Sequence, residues 1–472
     1  MFSRIKRFFT VEGMVKKHEI FGELPKSKEL YKNLIDVAWP ATAESVLVGL
    51  VGIVDTLMVS ALGARAIAAV GLTNQPRLLF YAVFFALNIS VTAVVSRRKG
   101  QGDRNGANKT LAQAVSLSIA LGIMVSAVAL AIDDPLIRLA GANDETIADA
   151  VLYFRIVMSG MVFTAVSGAI NSAQRSIGNT RIALTSNLTA NVVNVVFDYL
   201  LITGKCGFPA LGIVGAAIPT VMGNMVACGM SVWSIRRKGY LYLNFKELFR
   251  FRAELIKPLL KVGMGAGMEQ ACIRVGFFIY AATVANLGTA AFATHQICMN
   301  IINLSFTFGD GLGMASSALV GQNLGKKRPD LSTLYGKAGQ RVGFFISLFL
   351  VLLFGFAGRT LVGLFVSSSD NDYDYIMHNG TIIMYIVALI CVAQITQVIY
   401  NGCLRGAGDT KYVAAVSTVS IMVIRPILTY LFCYTFGIGL IGAWFSLAID
   451  QIIRLIFSAL RFSSGRWEKI KV

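Results

Sequence analysis

Asn187, Asn191, Asn194 and Asp198 are four polar residues set in an otherwise apolar stretch. Their spacing of i, i+4, i+7 and i+11 puts all four on one face of a helix. The stretch is long enough to cross a bilayer, where a carboxylate costs roughly 2.5–3.5 kcal/mol on insertion scales and so faces a cavity or a partner. Asp55, in the first apolar run, is the candidate partner. Two arrangements fit: a polar seam joining two helices, or an ion or proton site. Two nearby carboxylates in a low dielectric cannot both stay ionised, so the pair can carry a proton. Alternatively, their oxygens can hold a cation. Glu44 lies eleven residues before Asp55, on the same helical face and about 16 Å away by helix rise. Glu44 and Glu269 are each read either as floor residues of a substrate cleft or as partners of an arginine such as Arg155 or Arg274.

The elements that must position these groups are membrane helices. The chain has 472 residues, 55% hydrophobic and only 14% charged, and its mean hydropathy is +0.65. Apolar runs of about 20 residues recur along nearly all of it, the pattern of an all-α polytopic membrane protein. Twelve spans are predicted, near 34–61, 71–96, 110–132, 150–173, 182–204, 212–235, 258–285, 293–320, 338–365, 379–403, 412–436 and 439–461. The net charge of +18 is spread over alternate loops rather than gathered in a patch, which argues against nucleic acid. Arg97, Arg98 and Lys99 follow span 2, Arg236, Arg237 and Lys238 follow span 6, and Lys326, Lys327 and Arg328 follow span 8. The opposite loops carry Asp133, Asp134, Asp144 and Asp370. The positive-inside rule then places both termini in the cytosol of a cell-membrane protein. The predicted organisation is a cytosolic amphipathic segment 1–33, an N-lobe 34–235, a cytosolic linker 236–257, a C-lobe 258–461 and a cytosolic tail 462–472. Seven scattered cysteines form no CxxC or Cys/His cluster, so no metal or disulfide is expected.

The halves repeat. At an offset of 225, Glu44 falls on Glu269, Gly63 on Gly288 and Gly100 on Gly325. At 230, INSAQRSIGNTR lies over YNGCLRGAGDTK, so that Asn171 falls on Asn401, Arg175 on Arg405 and Thr180 on Thr410. At 227, LGIVGAA lies over IGLIGAW. Six spans preserve orientation, so the two pseudo-symmetric six-helix lobes form a parallel repeat, the mark of an alternating-access transporter. His295 and His378 are isolated. Arg425, ahead of Pro426, is read as an internal ion pair with a C-lobe carboxylate, Asp310 or Asp450.

With this repeat, the VDTLMVSALG segment and the NxxxRxxGxT motif, the chain resembles the MATE (multidrug and toxic compound extrusion) family over about residues 30–462. The resemblance implies a MATE fold of two six-helix lobes and efflux of small organic, often cationic, compounds in exchange for H⁺ or Na⁺. Carried over residue by residue, it implies an ion-coupling site of Asp55, Tyr153, Asn171, Asn194, Asp198 and Thr220, with Pro40 as the bending proline of the first span. The NorM-like branch places a Glu on span 7 and an Asp on span 10. Here Glu269 lies about one turn early and span 10 offers Gln394 and Gln397, which favours an N-lobe site of the DinF-like or archaeal type.

A flippase for lipid-linked precursors, from the same wider superfamily, would need a more basic cleft and extra spans. A membrane-embedded enzyme would need a His or Cys cluster, a Ser–His pair or a Walker motif, and the sequence carries none. Two carboxylates with few tightly spaced neutral oxygens make H⁺ the expected coupling ion ahead of Na⁺. No cofactor and no resident metal are expected. The expected partners are substrate and lipid, and the expected state is a monomer.

Overall fold

The computed structural model describes residues 8–15, 20–236, 239–244, 247–366 and 372–470. The loop residues Arg237, Lys238 and Asp370 lie outside them. Among the described residues the ordered structure is helical, with twelve principal elements. They are α1 (Ser27–Ser60), α2 (Ala64–Gly100), α3 (Arg104–Ala131), α4 in two limbs (Ile147–Ser159 and Met161–Ser176), α5 (Thr180–Thr203) and α6 (Ile213–Ser234). They continue with α7 (Ala253–Ala285), α8 (Thr289–Gly325), α9 (Pro329–Gly363), α10 (Tyr373–Gly406), α11 (Thr410–Thr435) and α12 (Leu440–Ser463). Eight of these are long and apolar enough to cross a membrane, and the two limbs of α4, bent by 45°, make a ninth. The other three, α5, α7 and α8, have the length, 24, 33 and 37 residues, but carry more polar residues.

Several helices run past the predicted apolar spans, because polar caps extend them into water. Asp103 accepts the Gly106 N–H at 2.8 Å and starts α3 six residues ahead of its apolar stretch. Pro329, at the first position of α9, supplies a fixed φ where no helical N–H partner is needed. The break in α4 was not expected. Its pivot, Gly160, abuts Val221, whose side chain would lie 2.9 Å from an added Cβ. Pro426 does not sharply kink α11. Instead the helix widens into π-turns at Val419–Ile424 and Leu431–Thr435. A proline removes one i→i−4 bond, and a π-turn is one way of absorbing that loss.

The chain forms two compact units, residues 43–267 and residues 1–42 with 268–472. The first boundary falls inside α1, two residues past Pro40, and the second inside α7. Both lie at the same place in the 225-residue repeat.

In the 43–267 unit, α3 packs on α4 around Phe84, Val125, Phe154, Met158 and Met161, and α5 packs on α6 with Ile202, Ala216 and Ala217 buried together. The linker lies on α3. Gln113 donates to the Glu247 and Arg250 carbonyls and accepts from the Arg252 N–H, while Asn108 accepts from Tyr242 N–H at 2.6 Å. In the other unit, α8, α9 and α10 enclose a core of Phe354, Ile383, Ile395 and Ile399. Gly402 and Gly406 of α10 let it approach α8 closely, since Cβ atoms there would meet the Gly313 and Ser317 carbonyl oxygens at 2.3 and 2.1 Å. The N-terminal segment lies on α9. Val11 and Met14 are buried, Lys337 donates to the Met14 carbonyl at 2.5 Å, and Phe9 stacks on Phe345. The amphipathic lead-in thus buries its apolar face against protein.

Candidate functional site

The polar face of α5 is a single seam with two ends. At one end Asn187 donates to Glu44 Oε1 at 2.6 Å, and Arg175 of α4 donates to both Glu44 oxygens at 2.8 and 3.1 Å. Glu44 is therefore ion-paired, but to neither arginine the sequence suggested. Arg155 instead holds Asp133. The other unit repeats the arrangement. Arg405 binds Glu269 at 2.6 and 3.2 Å, and Ser417 adds a bond at 3.3 Å. Arg274 keeps its Nε without a partner. A second pair repeats as well: Ser231 donates to Asn171 at 2.9 Å, and Ser458 to Asn401 at 2.8 Å.

At the other end of the seam, Asp198 is buried and its carboxyl faces that of Asp55 within hydrogen-bonding reach. Asn194 Nδ2 donates to Asp198 Oδ2 at 3.1 Å. The Oδ1 atoms of Asp55 and Asp198 find no N–H or O–H donor among the described protein groups. Two facing carboxylates repel when both are ionised, and one proton shared between them converts that repulsion into a hydrogen bond. Thr220 Oγ donates to the Ala216 carbonyl at 3.1 Å, which leaves its lone pairs free. It lies three residues before Gly223, where an added Cβ would come within 3.5 Å of Asn194 Cβ. Tyr153 is buried beside Val59, Ile202 and Ala216.

Sequence reasoning missed Arg77 on α2. Its guanidinium donates to Asn74 at 2.8 Å and faces Tyr153, Asp55 and Tyr81. An arginine inside an apolar span was itself the signal. Asn171 lies apart from the carboxyl pair. Its partner Ser231 is eleven residues along α6 from Thr220, about 16 Å by helix rise. Among the described residues no group of three His, Cys, Asp or Glu side chains could hold a metal ion.

In the 268–472 part, Arg425 and Asp450 have no exposed surface and pair with each other. Arg454 joins them at 2.9 Å. Arg425 is thus an internal ion pair, as the sequence suggested, and Asp310 instead faces Arg405. His295 packs edge-on against Tyr280 and beside Trp444.

Repeated halves of six principal helices, a facing carboxyl pair on α1 and α5, and matched Glu–Arg pairs fit a polytopic transporter. The MatE family model matches residues 40–200 and 266–431, one stretch in each half. The chain belongs to the MATE family, and it is a transporter, not an enzyme. It is 28% identical over 463 residues to a probable multidrug resistance protein NorM of Thermotoga maritima, covering 94% of this chain and 95% of that protein. It is 25% identical over 450 residues to the uncharacterized transporter YisQ of Bacillus subtilis, covering 94% and 96%. Its fold is similar to an outward-facing MATE family transporter of the MOP superfamily, at a TM-score of 0.85 and 21% identity over 92% of this chain and 96% of that one. A MATE structure in a bent conformation is similar at a TM-score of 0.84 and 21% identity, over 94% and 98%.

Proposed function

We propose that this protein is a secondary antiporter of the cell membrane that expels small organic, predominantly cationic compounds in exchange for protons carried by Asp55 and Asp198. The observation that carries this reading is the facing carboxyl pair whose two Oδ1 atoms have no donor. A proton supplies that donor. Na⁺ would instead need several oxygens held at once, and Asn194 already turns its N–H to Asp198. Arg77, facing Asp55, supplies one fixed positive charge, so a single added cation neutralises the group. Asn194 and Tyr153 orient the pair through Asp198 and Arg77, Thr220 offers a further oxygen, and Asn171 ties α4 to α6 farther along.

Pro40 is the hinge. It removes one helical bond from α1 immediately before the chain passes from one compact unit to the other. A change in the bonds of Asp55, fifteen residues on, is transmitted along this helix. Substrate and proton favour opposite states, so each lowers the other's affinity by the same factor. Relatives named for multidrug resistance support the substrate class, and the basic loops support cytosolic termini. A monomer suffices, because both lobes lie in one chain.

The test is export from proteoliposomes under an imposed ΔpH without Na⁺. Export there supports proton coupling. Failure there, with export restored by a Na⁺ gradient at symmetric pH, assigns the same site to Na⁺.

A further inference from the structure

The sequence repeat places a second buried polar cluster opposite in charge to the first. At offset 225, Tyr280 takes the place of Asp55. At offset 227, Asp450 takes the place of Gly223. The π-turn Val419–Ile424 adds one residue to the 230 offset and brings Arg425 into register with Asn194. The structure agrees on the local geometry. Gly223 lies against Asn194 in one unit, and Asp450 lies against Arg425 in the other. Where the first cluster has two carboxylates, the second has two guanidiniums on one carboxylate.

Hydrogen bonding in the second cluster is incomplete on the donor side. Asp450 is fully used, its Oδ2 by Arg425 and Arg454 and its Oδ1 by Ser420 at 2.5 Å. Among the described residues three guanidinium nitrogens find no partner, Nε and Nη1 of Arg425 and Nε of Arg454. The indole N–H of Trp444, Nδ1 of His295 and the side-chain amide of Gln451 are also unpartnered. All five residues are more than nine-tenths buried. Phe277 and Tyr280 cover the Arg425 guanidinium at 4.8 and 5.6 Å, while the Tyr280 hydroxyl donates to the Ala443 carbonyl. The nearest other carboxylate, Glu269, faces Arg454 but is held by Arg405 and Ser417. Asp310 faces Arg405.

We propose that the buried donor cluster around Arg425 binds a small anionic group, a halide or the carboxylate of an organic compound. An anion accepts charge-assisted hydrogen bonds from the spare guanidinium nitrogens and balances the second arginine, whose charge is otherwise costly to bury. The π-turns on either side of Arg425 are irregular stretches of a kind that recurs at functional sites, and they are the natural place for the wall to open. This site is independent of the ion that drives export.

The experiment uses the purified full chain in a buffer of the bulky sulfonate MES at constant ionic strength, titrated with chloride, bromide or benzoate, with the thermal midpoint as readout. The expected result is a saturable rise in the wild type, with affinity lowered about tenfold or more in Arg454→Gln by loss of a charged donor. That variant keeps the Arg425–Asp450 pair, and the exposed-site control Arg138→Gln should match the wild type. Anomalous scattering from bromide should peak beside Arg425. Response to halide alone assigns a bound ion, whereas displacement of bromide by benzoate, with benzoate export from proteoliposomes, assigns a carboxylate-bearing substrate. No saturable response above the sulfonate background, an unchanged response in both Arg454→Gln and Arg425→Met, or ordered water alone at Arg425 would overturn the proposal.

Discussion

Replacing Arg405 by Met removes the arginine that neutralises Glu269. The Glu269 side chain is only 1% exposed, and the substitution leaves it one bond from Ser417, at 3.3 Å. Removing one member of a buried pair costs about 3–5 kcal/mol, because the remaining charge is stranded. Arg175→Met is the matched perturbation in the other unit. There Glu44 keeps the 2.6 Å bond from Asn187, worth about 1.5–3 kcal/mol for a hydrogen bond to a charged group. Arg405→Met should therefore be the more destabilising of the two, by on the order of 1–2 kcal/mol. Units of some 225 residues lose about 2–4 °C in thermal midpoint per kcal/mol, so Arg405→Met should melt roughly 10 °C below the wild type. The assay is fluorescence-detected unfolding of the purified protein, completed by Glu269→Gln and the Glu269→Gln/Arg405→Met double variant. The double variant should recover much of the loss, since it leaves no stranded carboxylate. If it melts no higher than Arg405→Met, or if Arg175→Met is the worse of the pair, the stranded-charge reasoning fails.

The remaining predictions concern coupling, packing, capping and topology. Asp55→Asn and Asp198→Asn should each abolish gradient-driven export while leaving the thermal midpoint near that of the wild type, and full transport by either would remove the carboxyl pair from the mechanism. Gly406→Ala should cost about 1–3 kcal/mol of stability by overpacking, because its Cβ would lie 2.1 Å from the Ser317 carbonyl; equal unfolding midpoints would show that α8 and α10 can separate freely. Asp103 loses hydration by partial burial, but the Gly106 N–H and Arg98 more than compensate and hold its carboxyl below the ordinary range. Its capping contribution, about 1 kcal/mol as judged by Asp103→Ala, should be complete above about pH 4 and fade as the pH falls through the lowered value. An Ala variant with unchanged stability at pH 7 would contradict this. A cysteine at Asn143 should react with an impermeant thiol reagent from outside intact cells and one at Gly239 should not, and the reverse pattern would invert the topology.

The helical class and the repeat were legible because apolar runs and short motifs are local signals. The seam on α5 was legible for the same reason, its four polar residues keeping helical spacing. What escaped was pairing across helices. Glu44 and Glu269 were visible as repeated acids, and Arg175 and Arg405 as repeated bases of the NxxxRxxGxT motif, yet nothing local joins residues 131 and 136 positions apart. Two opposite charges recurring in both halves were the available clue. The bend at Gly160 had no proline to announce it, and its neighbour there, Val221, arrives from another helix. Burial of Val11 and Met14 was hidden likewise, since a short amphipathic lead-in reads the same whether its apolar face meets protein or lipid.

The positions at which α1 and α7 change unit bear on how such a chain can be divided. The linker is the obvious place to cut, yet neither compact unit ends there. A fragment stopping at the linker would carry residues 1–42, whose compact unit is otherwise built from 268–472, and would lack the 253–267 start of α7 that completes its own. Each half is a lender and a borrower of one helix segment. Two separately expressed halves should therefore be poor folders alone and complement each other on co-expression. By the same logic a single ancestral repeat would have had to exchange this segment with a second copy, and joining the copies in one chain made that exchange permanent.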